Sequence, residues 1–254
     1  MRIVVPLKAV PDLVEEIELT GDGTDIDREY LKFVLNEWDD QALEEALLVK
    51  ESGAHEVVAV GLADDPDIDQ ALYTALAKGA DHAVKLTGAT AGDTHSRAAA
   101  FAGYLQENPA DLVITGVQAP DDLDGQLPSA LAAHLGFPHV SVVVSVETAG
   151  DGVRVRQEFS GGRAAELEVT LPAVVGLQAA RQTPRYAPIT KIRQTMQAGG
   201  LTEAAAGAGG GHGLTVRRMY APVSSSHAEM LDGEPEDVAE KIVELLRGRS
   251  LVKG

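Results

Sequence analysis

The chain has 254 residues, of which 44% are hydrophobic and 24% are charged, so it can bury a sizeable core and is not disordered throughout. Its 39 acidic residues against 21 basic ones give a formal net charge of −18, which argues against nucleic acid or an anionic membrane surface as a partner. Because the sequence contains no Cys, it excludes disulfides, thiolate catalysis and Cys-ligated iron–sulfur or zinc sites.

The N-terminal segment does not have the pattern of a signal peptide. The opening MRIVVP is not followed by the apolar stretch of about 7–15 residues that such a leader carries. Elsewhere, no uncharged apolar stretch approaches the ~20 residues that are needed to span a bilayer. We therefore expect a cytoplasmic protein without membrane insertion.

Short apolar strands alternate with amphipathic helices through about the first 140 residues. The strands are hydrophobic along their whole length, as burial on both faces requires, and the helices carry apolar residues on one face. This alternation is typical of a parallel sheet that is covered by helices on both sides. The predicted strands are 3–7, 57–60, 83–86 and 112–115, and the predicted helices are 37–52, 67–78, 94–106 and 126–135.

After Gly136 the pattern changes to strands joined by short Gly-rich connections. The connections AGDG and SGG are typical of hairpin turns, so we predict an antiparallel extension of the sheet. A last short buried strand follows this extension. The predicted strands of this part are 140–147, 153–158, 165–170 and 174–177.

The C-terminal part differs in composition from the rest. Residues 199–213 are rich in Ala and Gly and are predicted to form a flexible linker. Residues 214–254 contain a possible strand and a helix that begins near Pro235 and has one apolar face. We expect this tethered helix to dock on a partner or, alternatively, to pack back on its own domain. The predicted division is thus an α/β domain over 1–198, the linker, and a C-terminal arm.

Three loops follow predicted strands at the positions where parallel sheets bind ligands. They are 6–12, 61–65 and 116–126. The third, GVQAPDDLDGQ, combines glycines, amides and acids, and it enters a helix whose unpaired N–H groups suit a phosphate. This composition favours a nucleotide site, the alternative being an acidic connection without a ligand. The loop contains neither a Walker sequence nor the G-x-G-x-x-G fingerprint.

No motif supports catalysis by this chain alone. The seven His residues match no metal-binding spacing, and no G-x-S-x-G nucleophile elbow is present. His134 is predicted to lie at the surface or its boundary, and Asp39 and Asp40 to interact with a helix dipole rather than to act as acid or base. Trp38 is predicted to be an interface anchor or, alternatively, an aromatic wall against a ring system. We therefore predict that the chain is not an enzyme by itself and holds no metal.

Several segments, taken in order, resemble the beta subunits of electron transfer flavoproteins, the family that includes the FixA-type proteins. The similarity runs from residue 1 to about residue 196 and continues more loosely to the C-terminus. The segments are RIVVPLKAVPD at 2–12, NEWDDQALEEA at 36–46, TALAKGAD at 74–81, GVQAPDD at 116–122, and a block of RQEFSGG at 156–162, LPAVV at 171–175 and TPRY at 183–186.

The resemblance implies an α/β fold with a mostly parallel sheet of the adenine-nucleotide-binding (Rossmann-like) type. It implies an FAD held mainly by a homologous alpha subunit, near an aromatic residue that aligns with Trp38, and an AMP held by this chain. In the electron-bifurcating branch a second FAD takes the place of the AMP. The adjacent acids Asp121 and Asp122 are similar to AMP-binding members, whereas the tail around Tyr220 resembles bifurcating and FixA-like members. The implied nucleotide-binding residues are Pro6, Asn36, Glu37, Trp38, Asp39, Leu62, Gly116, Val117, Gln118, Ala119, Pro120, Asp121, Asp122, Leu123, Asp124, Gly125, Gln126 and Leu127.

The same resemblance implies the partners. The chain would pair with the alpha subunit in a heterodimer that carries electrons from acyl-CoA or other flavin dehydrogenases to an acceptor of the electron transfer flavoprotein–quinone oxidoreductase kind. The chain that follows TPRY would dock the dehydrogenases. The sequence departs from the family there, because Gln182 replaces a common Asn and the usual basic run is reduced to Lys191 and Arg193.

Two other classes of protein share this type of sheet. A free-standing nucleotide-binding protein of the universal-stress kind would need neither the hairpin extension, nor TPRY, nor a tethered terminal helix. An ATP-pyrophosphatase would need an S-G-G-x-D-S loop after the first strand, which residues 6–12 do not provide.

Overall fold

A computed structural model of the chain describes residues 1–89, 92–207, 215–222, 228 and 230–252. The chain divides into two compact units, Met1–Arg217 and Arg218–Gly254. Among the residues that the structure describes, no helix combines the length and the apolarity that crossing a bilayer requires.

The first unit is built on a nine-stranded sheet with the order β11-β5-β4-β1-β6-β10-β7-β8-β9. Neighbours from β11 to β7 pair in parallel, and β7, β8 and β9 pair antiparallel. This confirms the mostly parallel sheet with an antiparallel hairpin extension. The strands are β1 (Arg2–Leu7), β4 (Glu56–Leu62), β5 (His82–Thr87), β6 (Leu112–Gly116), β7 (His139–Ala149), β8 (Gly152–Phe159), β9 (Arg163–Thr170), β10 (Ala173–Leu177) and β11 (Leu201–Ala205).

Helices cover both faces of the parallel part of the sheet. Successive strand residues point to opposite faces, so each strand contributes side chains to two core layers. Ile3 and Val5 of β1 pack in a core cluster with the first two helices, and Val4 packs in a second cluster with the next two. The apolar strands therefore lie between two layers, as their continuous hydrophobicity predicts. These helices are α1 (Glu37–Glu51), α2 (Ile68–Lys78), α3 (Thr94–Glu107) and α4 (Leu127–Leu135).

Some elements of the first unit are not predicted by the sequence patterns. A separate two-stranded antiparallel sheet is formed by β2 (Ala9–Pro11) and β3 (Phe33–Leu35), and a fifth helix, α5, spans Ile189–Ala198. The strand β11 lies inside the segment predicted to be a linker, so that prediction is wrong for its residues. Its Ala-rich sequence has low strand propensity, but parallel pairing with β5 at the edge of the sheet stabilises it. Residues 208–213 of the predicted linker lie outside the described residues.

The second unit contains one helix, α6 (Pro235–Gly248), among its described residues. It begins at the predicted position, and none of its side chains is buried. The apolar residues Ile242 and Leu245 are 45% and 43% exposed. The described residues 215–219 form no strand, which corrects the prediction of a strand over that stretch. α6 is thus an amphipathic helix whose apolar face is open within its own unit.

Candidate functional site

The three predicted loops meet at the carboxyl ends of three neighbouring strands. They follow β4, β1 and β6, which are neighbours in the sheet and run in the same direction. The strand order turns at β1, because the chain passes from β1 to β4 on one side and reaches β6 on the other. Such a reversal opens a crevice at the carboxyl ends of the strands.

The N-terminus of α1 ties the loops after β1 and β6 together. Asp39 is 4% exposed, and its carboxylate accepts the backbone N–H of Lys8 at 2.9 Å and that of Gly116 at 3.2 Å. Asn36, which precedes the helix, donates from Nδ2 to the backbone oxygen of Gln118 at 3.0 Å. Asp39 is therefore a structural acceptor for two strand ends, a role more specific than the predicted interaction with a helix dipole.

Burial has a chemical consequence for Asp39. It raises the pKa of this carboxyl to about 7, although the hydrogen bonds from Asn36, Lys8 and Gly116 act in the opposite direction. A carboxyl with a pKa near neutrality at the carboxyl ends of parallel strands is typical of functional sites.

Gly116 allows this close approach to α1, and Gly125 allows a tight turn within the same loop. A Cβ on Gly116 would overlap Asp39 Oδ1 and come within 2.8 Å of the backbone carbon of Trp38. Gly125 has a φ of 63°, and a Cβ there would come within 2.5 Å of the carbonyl oxygen of Val117. A side chain at Gly116 would push the loop away from α1, whereas one at Gly125 would disturb the turn within the loop itself.

A small polar cavity of about 20 Å³ lies between these loops. Asn36 lines it and is 1% exposed, and its Oδ1 has no hydrogen-bond partner among the described residues. Because Nδ2 of the same amide already donates to Gln118, Oδ1 is fixed as an acceptor that lacks a donor. The residues that line the cavity are Lys8, Asn36, Asp39, Thr94, Arg97, Gly116, Gln118, Ala119, Asp122 and Leu127.

Two cations at this cavity are held by acids. The ammonium of Lys8 forms an ion pair with Asp121, whose side chain is half exposed. The guanidinium of Arg97 binds Asp65 in a bidentate pair, with N–O distances of 2.6 and 2.7 Å, and both side chains are buried.

A larger apolar cavity of about 430 Å³ adjoins the first. Asn36 lines both cavities, and Trp38 is half-buried in the wall of the second. Leu13 and Leu123 are 63% and 71% exposed there, which leaves a patch of apolar surface at the mouth. An exposed apolar patch beside a pocket marks a binding surface. The lining residues are Val10, Pro11, Leu13, Val34, Leu35, Asn36, Glu37, Trp38, Pro120 and Leu123.

The structure brings most of the predicted site residues together, but not all of them. Asn36, Glu37, Trp38, Asp39, Gly116, Gln118, Ala119, Pro120, Asp122, Leu123 and Leu127 line one cavity or the other. The remaining predicted residues, Pro6, Leu62, Val117, Asp121, Asp124, Gly125 and Gln126, line neither. His134 is exposed on α4 and lines neither cavity.

The predicted set lacks three polar residues that line the small cavity, namely Lys8, Thr94 and Arg97. Lys8 follows β1 directly, so its position after a predicted strand was a usable signal. Thr94 and Arg97 lie in the first turn of α3, which follows β5, and no pattern in the sequence connects that turn with the loop after β6.

The middle of α1 anchors the segment that contains TPRY. Glu45 is fully buried and accepts the backbone N–H of Val146 at 2.6 Å and both the N–H and the Nε–H of Arg181. Glu44 accepts the backbone N–H and the guanidinium of Arg185. The segment is thereby fixed to the helix, with the ring of Tyr186 exposed beyond it.

Comparison with known proteins gives one consistent result. A family model described as an electron transfer flavoprotein domain matches residues 24–207. The chain is 33% identical to electron transfer flavoprotein subunit beta of Methylophilus methylotrophus over 259 aligned residues, which cover 97% of this chain and 98% of that protein. It is also 33% identical to the subunit beta of Syntrophomonas wolfei, over 97% of this chain and 96% of that protein. Identity to the subunit beta of Clostridium acetobutylicum is 38% over 76% of this chain and 74% of that protein.

Proposed function

The chain belongs to the electron transfer flavoprotein family, as a beta subunit, and from that premise we propose that it binds AMP in the loops at the carboxyl ends of its strands. It would also contribute Trp38 to the site of an FAD that is held mainly by an alpha subunit. The family implies electron transfer, and the chemistry of electron uptake and release would be supplied by the flavin. The residues of this chain would bind and orient the cofactors and would exclude water from them. The observation that carries the proposal is the pair of adjoining cavities that share Asn36.

The small cavity fits a nucleotide by its chemistry. It offers a buried acceptor without a donor in Asn36 Oδ1, two cations, and loops that approach closely at Gly116. An N–H or O–H group of a nucleoside would satisfy that acceptor, which otherwise costs about 1–3 kcal/mol. The cavity volume of about 20 Å³ is close to that of one water molecule, so binding of AMP would require the loop 117–126 to move outward.

The larger cavity fits a ring system. Its lining is largely apolar, and the indole of Trp38 forms part of its wall. Aromatic side chains pack against planar rings over a large area, and the exposed Leu13 and Leu123 would be covered in the same step. This is where the flavin ring would contact the chain.

The partner surfaces follow from the same premise. The open apolar face of α6 would dock on the alpha subunit, as expected for an arm that buries none of its helix side chains by itself. The segment anchored by Glu44 and Glu45 would present Tyr186 and α5 to acyl-CoA or other flavin dehydrogenases, and an acceptor of the quinone oxidoreductase kind would take the electrons. Ile189 at the start of α5 is 61% exposed and suits such a contact.

The test is a Trp38→Ala variant of the co-purified complex. FAD per heterodimer, measured by absorbance after gel filtration, should fall because the ring loses one wall of its cavity. Trp38→Phe is the matched control and should keep the flavin, since it keeps an aromatic wall. Unchanged FAD occupancy in Trp38→Ala would remove Trp38 from the flavin site.

A second FAD in place of AMP is the alternative for this chain. The two cavities adjoin at Asn36, so an extended dinucleotide could reach from one to the other. The nucleotide content of the purified complex distinguishes the two ligands.

A further inference from the structure

Arg97 is a buried cation in an unusual place. It lies in the first turn of α3 and is 7% exposed. The N-terminal end of a helix carries a partial positive charge, so a cation there is unfavourable unless an acid compensates it. Asp65, in the loop after β4, does so with two hydrogen bonds.

Stability alone does not explain this ion pair. A buried pair contributes little net stability compared with apolar residues of the same volume, because both charges lose their hydration. The pair leaves donors over: a guanidinium has five N–H groups, and Asp65 engages one on each Nη. Burial acts to lower the pKa of Arg97, but its pairing with Asp65 raises it. The negative charges of Asp64 and Asp121 also act on the guanidinium and raise this pKa further.

The spare donors belong to a side chain that lines the small cavity. Lys8 lines the same cavity, as does Asn36 with its unpartnered, fully buried Oδ1. Both cations are paired with acids, and the acidic residues Asp39 and Asp122 line the same cavity. This mixture of donors and acceptors suits a ligand that carries an anionic group together with hydroxyl or amino groups.

The helix after the third loop is a poor alternative seat for the anionic group. A phosphate at a helix N-terminus is bound by the free N–H groups of the first turn. In α4 the second residue is Pro128, which has no N–H, so one of those donors is missing. The predicted phosphate seat at Gln126 is therefore weakened, and side-chain cations must supply more of the binding.

We propose that Arg97, positioned by Asp65, binds the phosphate of the nucleotide in the cavity that it shares with Lys8 and Asn36. This inference rests on the proposed AMP-binding function and adds a residue outside the set that family resemblance supplies. Asp65 acts through Arg97 by fixing the plane of the guanidinium. Lys8 could bind the phosphate as well only by giving up its ion pair with the half-exposed Asp121.

The test compares AMP with adenosine, since only AMP carries the phosphate. Isothermal titration calorimetry measures both ligands on the full chain after bound nucleotide has been removed. The key variant is Arg97→Met with Asp65→Leu, which replaces the buried pair by apolar side chains so that the fold survives. The matched control, Arg154→Met with Glu168→Leu, removes an ion pair on the hairpin.

The inference predicts that the Kd of AMP rises about tenfold or more in the Arg97/Asp65 double variant, while that of adenosine changes less than about twofold. Arg97→Lys should give an intermediate loss, because Lys keeps the charge but not the forked geometry. The hairpin control should bind both ligands like the unaltered chain.

Two results overturn the inference while the proposed function stands. One is an unchanged AMP affinity in a folded double variant, and the other is an equal loss for AMP and adenosine, which would mean that the pair only shapes the cavity. A third result, in which the unaltered chain binds neither ligand, rejects AMP binding itself and the inference with it.

Discussion

The first turn and the middle of helix α1 carry similarly buried acids in different environments. In the first turn, Asp39 is 4% exposed and accepts two backbone N–H groups. It forms no ion pair in the described part of the chain, although the nearby charge of Lys8 acts to lower its pKa. Further along, Glu44 and Glu45 are 2% and 0% exposed, and each is hydrogen-bonded to an arginine.

This difference in pairing distinguishes the candidate site around Asp39 from the anchored segment around Glu44 and Glu45. Burial raises the pKa of Asp39 to about 7. Burial also acts to raise the pKa of Glu44, but the hydrogen bonds and the charge of Arg185 outweigh it and lower the pKa. Glu44 and Glu45, paired with arginines in the middle of α1, hold the segment 178–188. Asp39, in the first turn, instead joins the loops after β1 and β6 without an ion pair in the described part of the chain.

The largest effect is expected for Glu45→Ala. Removing this carboxylate leaves the N–H groups of Val146 and Arg181 and a guanidinium without their acceptor. We expect the free energy of unfolding, measured by urea denaturation, to fall by about 3–5 kcal/mol. AMP affinity should stay the same, since Glu45 lines neither cavity. A loss below about 1 kcal/mol would contradict the role of Glu45 as an anchor.

A smaller loss is expected for Asp39→Asn. The amide can accept only one of the two backbone N–H groups that the carboxylate accepts, because its Nδ2 is itself a donor. We expect about 1–3 kcal/mol of lost stability near pH 7 and, in contrast to Glu45→Ala, weaker AMP binding. Normal AMP affinity in a folded Asp39→Asn variant would show that the clamp on Lys8 and Gly116 does not shape the site.

The pH dependence of the same variant sharpens the comparison. The pKa of Asp39 is about 7 in the fold against 3.8 for the unperturbed group, so the native state binds more protons between these values. The contribution of Asp39 to stability is therefore present at low pH and is lost as the pH rises through 7. The destabilisation by Asp39→Asn should shrink by about 2–3 kcal/mol between pH 5 and pH 8. Urea denaturation at both pH values measures it, and a constant difference would place the pKa of Asp39 outside this window.

The smallest effect is expected for Glu51→Ala, at the C-terminal end of the same helix. Glu51 also pairs with Arg185, at 2.7 Å, but its side chain is 57% exposed. Exposed pairs contribute about 0–1 kcal/mol. Thermal or urea unfolding of Glu51→Ala beside Glu45→Ala should separate the two acids clearly, and similar losses would mean that burial does not set their contributions.

The parallel sheet is predictable from sequence because its signal is local. Each central strand is apolar along its length, and each covering helix has a period and a terminal residue that a short window contains. β11 and α5 are not predictable in this way. The pairing of Leu201 with Ala83 joins residues far apart in the chain, and the Ala-rich strand has no intrinsic preference for that conformation.

The candidate site likewise has residues that the sequence predicts and residues that it does not. The strand-end loops and the residues around Asn36 are predictable, because a sheet brings the carboxyl ends of neighbouring strands together. Arg97 is not, because only the folded chain brings it to Asp65 and to a cavity beside β6. Nor does a spacing in the sequence show that Asp39 would be buried as an acceptor, since the two N–H groups that it accepts come from Lys8 and Gly116, far apart in the chain.

The most direct test of the account is the cofactor content of the protein as assembled. The chain is expressed together with its alpha-subunit partner, the complex is purified and denatured, and released FAD and AMP are quantified by chromatography. The account predicts one FAD and one AMP for each heterodimer. Two FAD without AMP would contradict the AMP site, and a chain that purifies alone without flavin would contradict the proposed function as a whole.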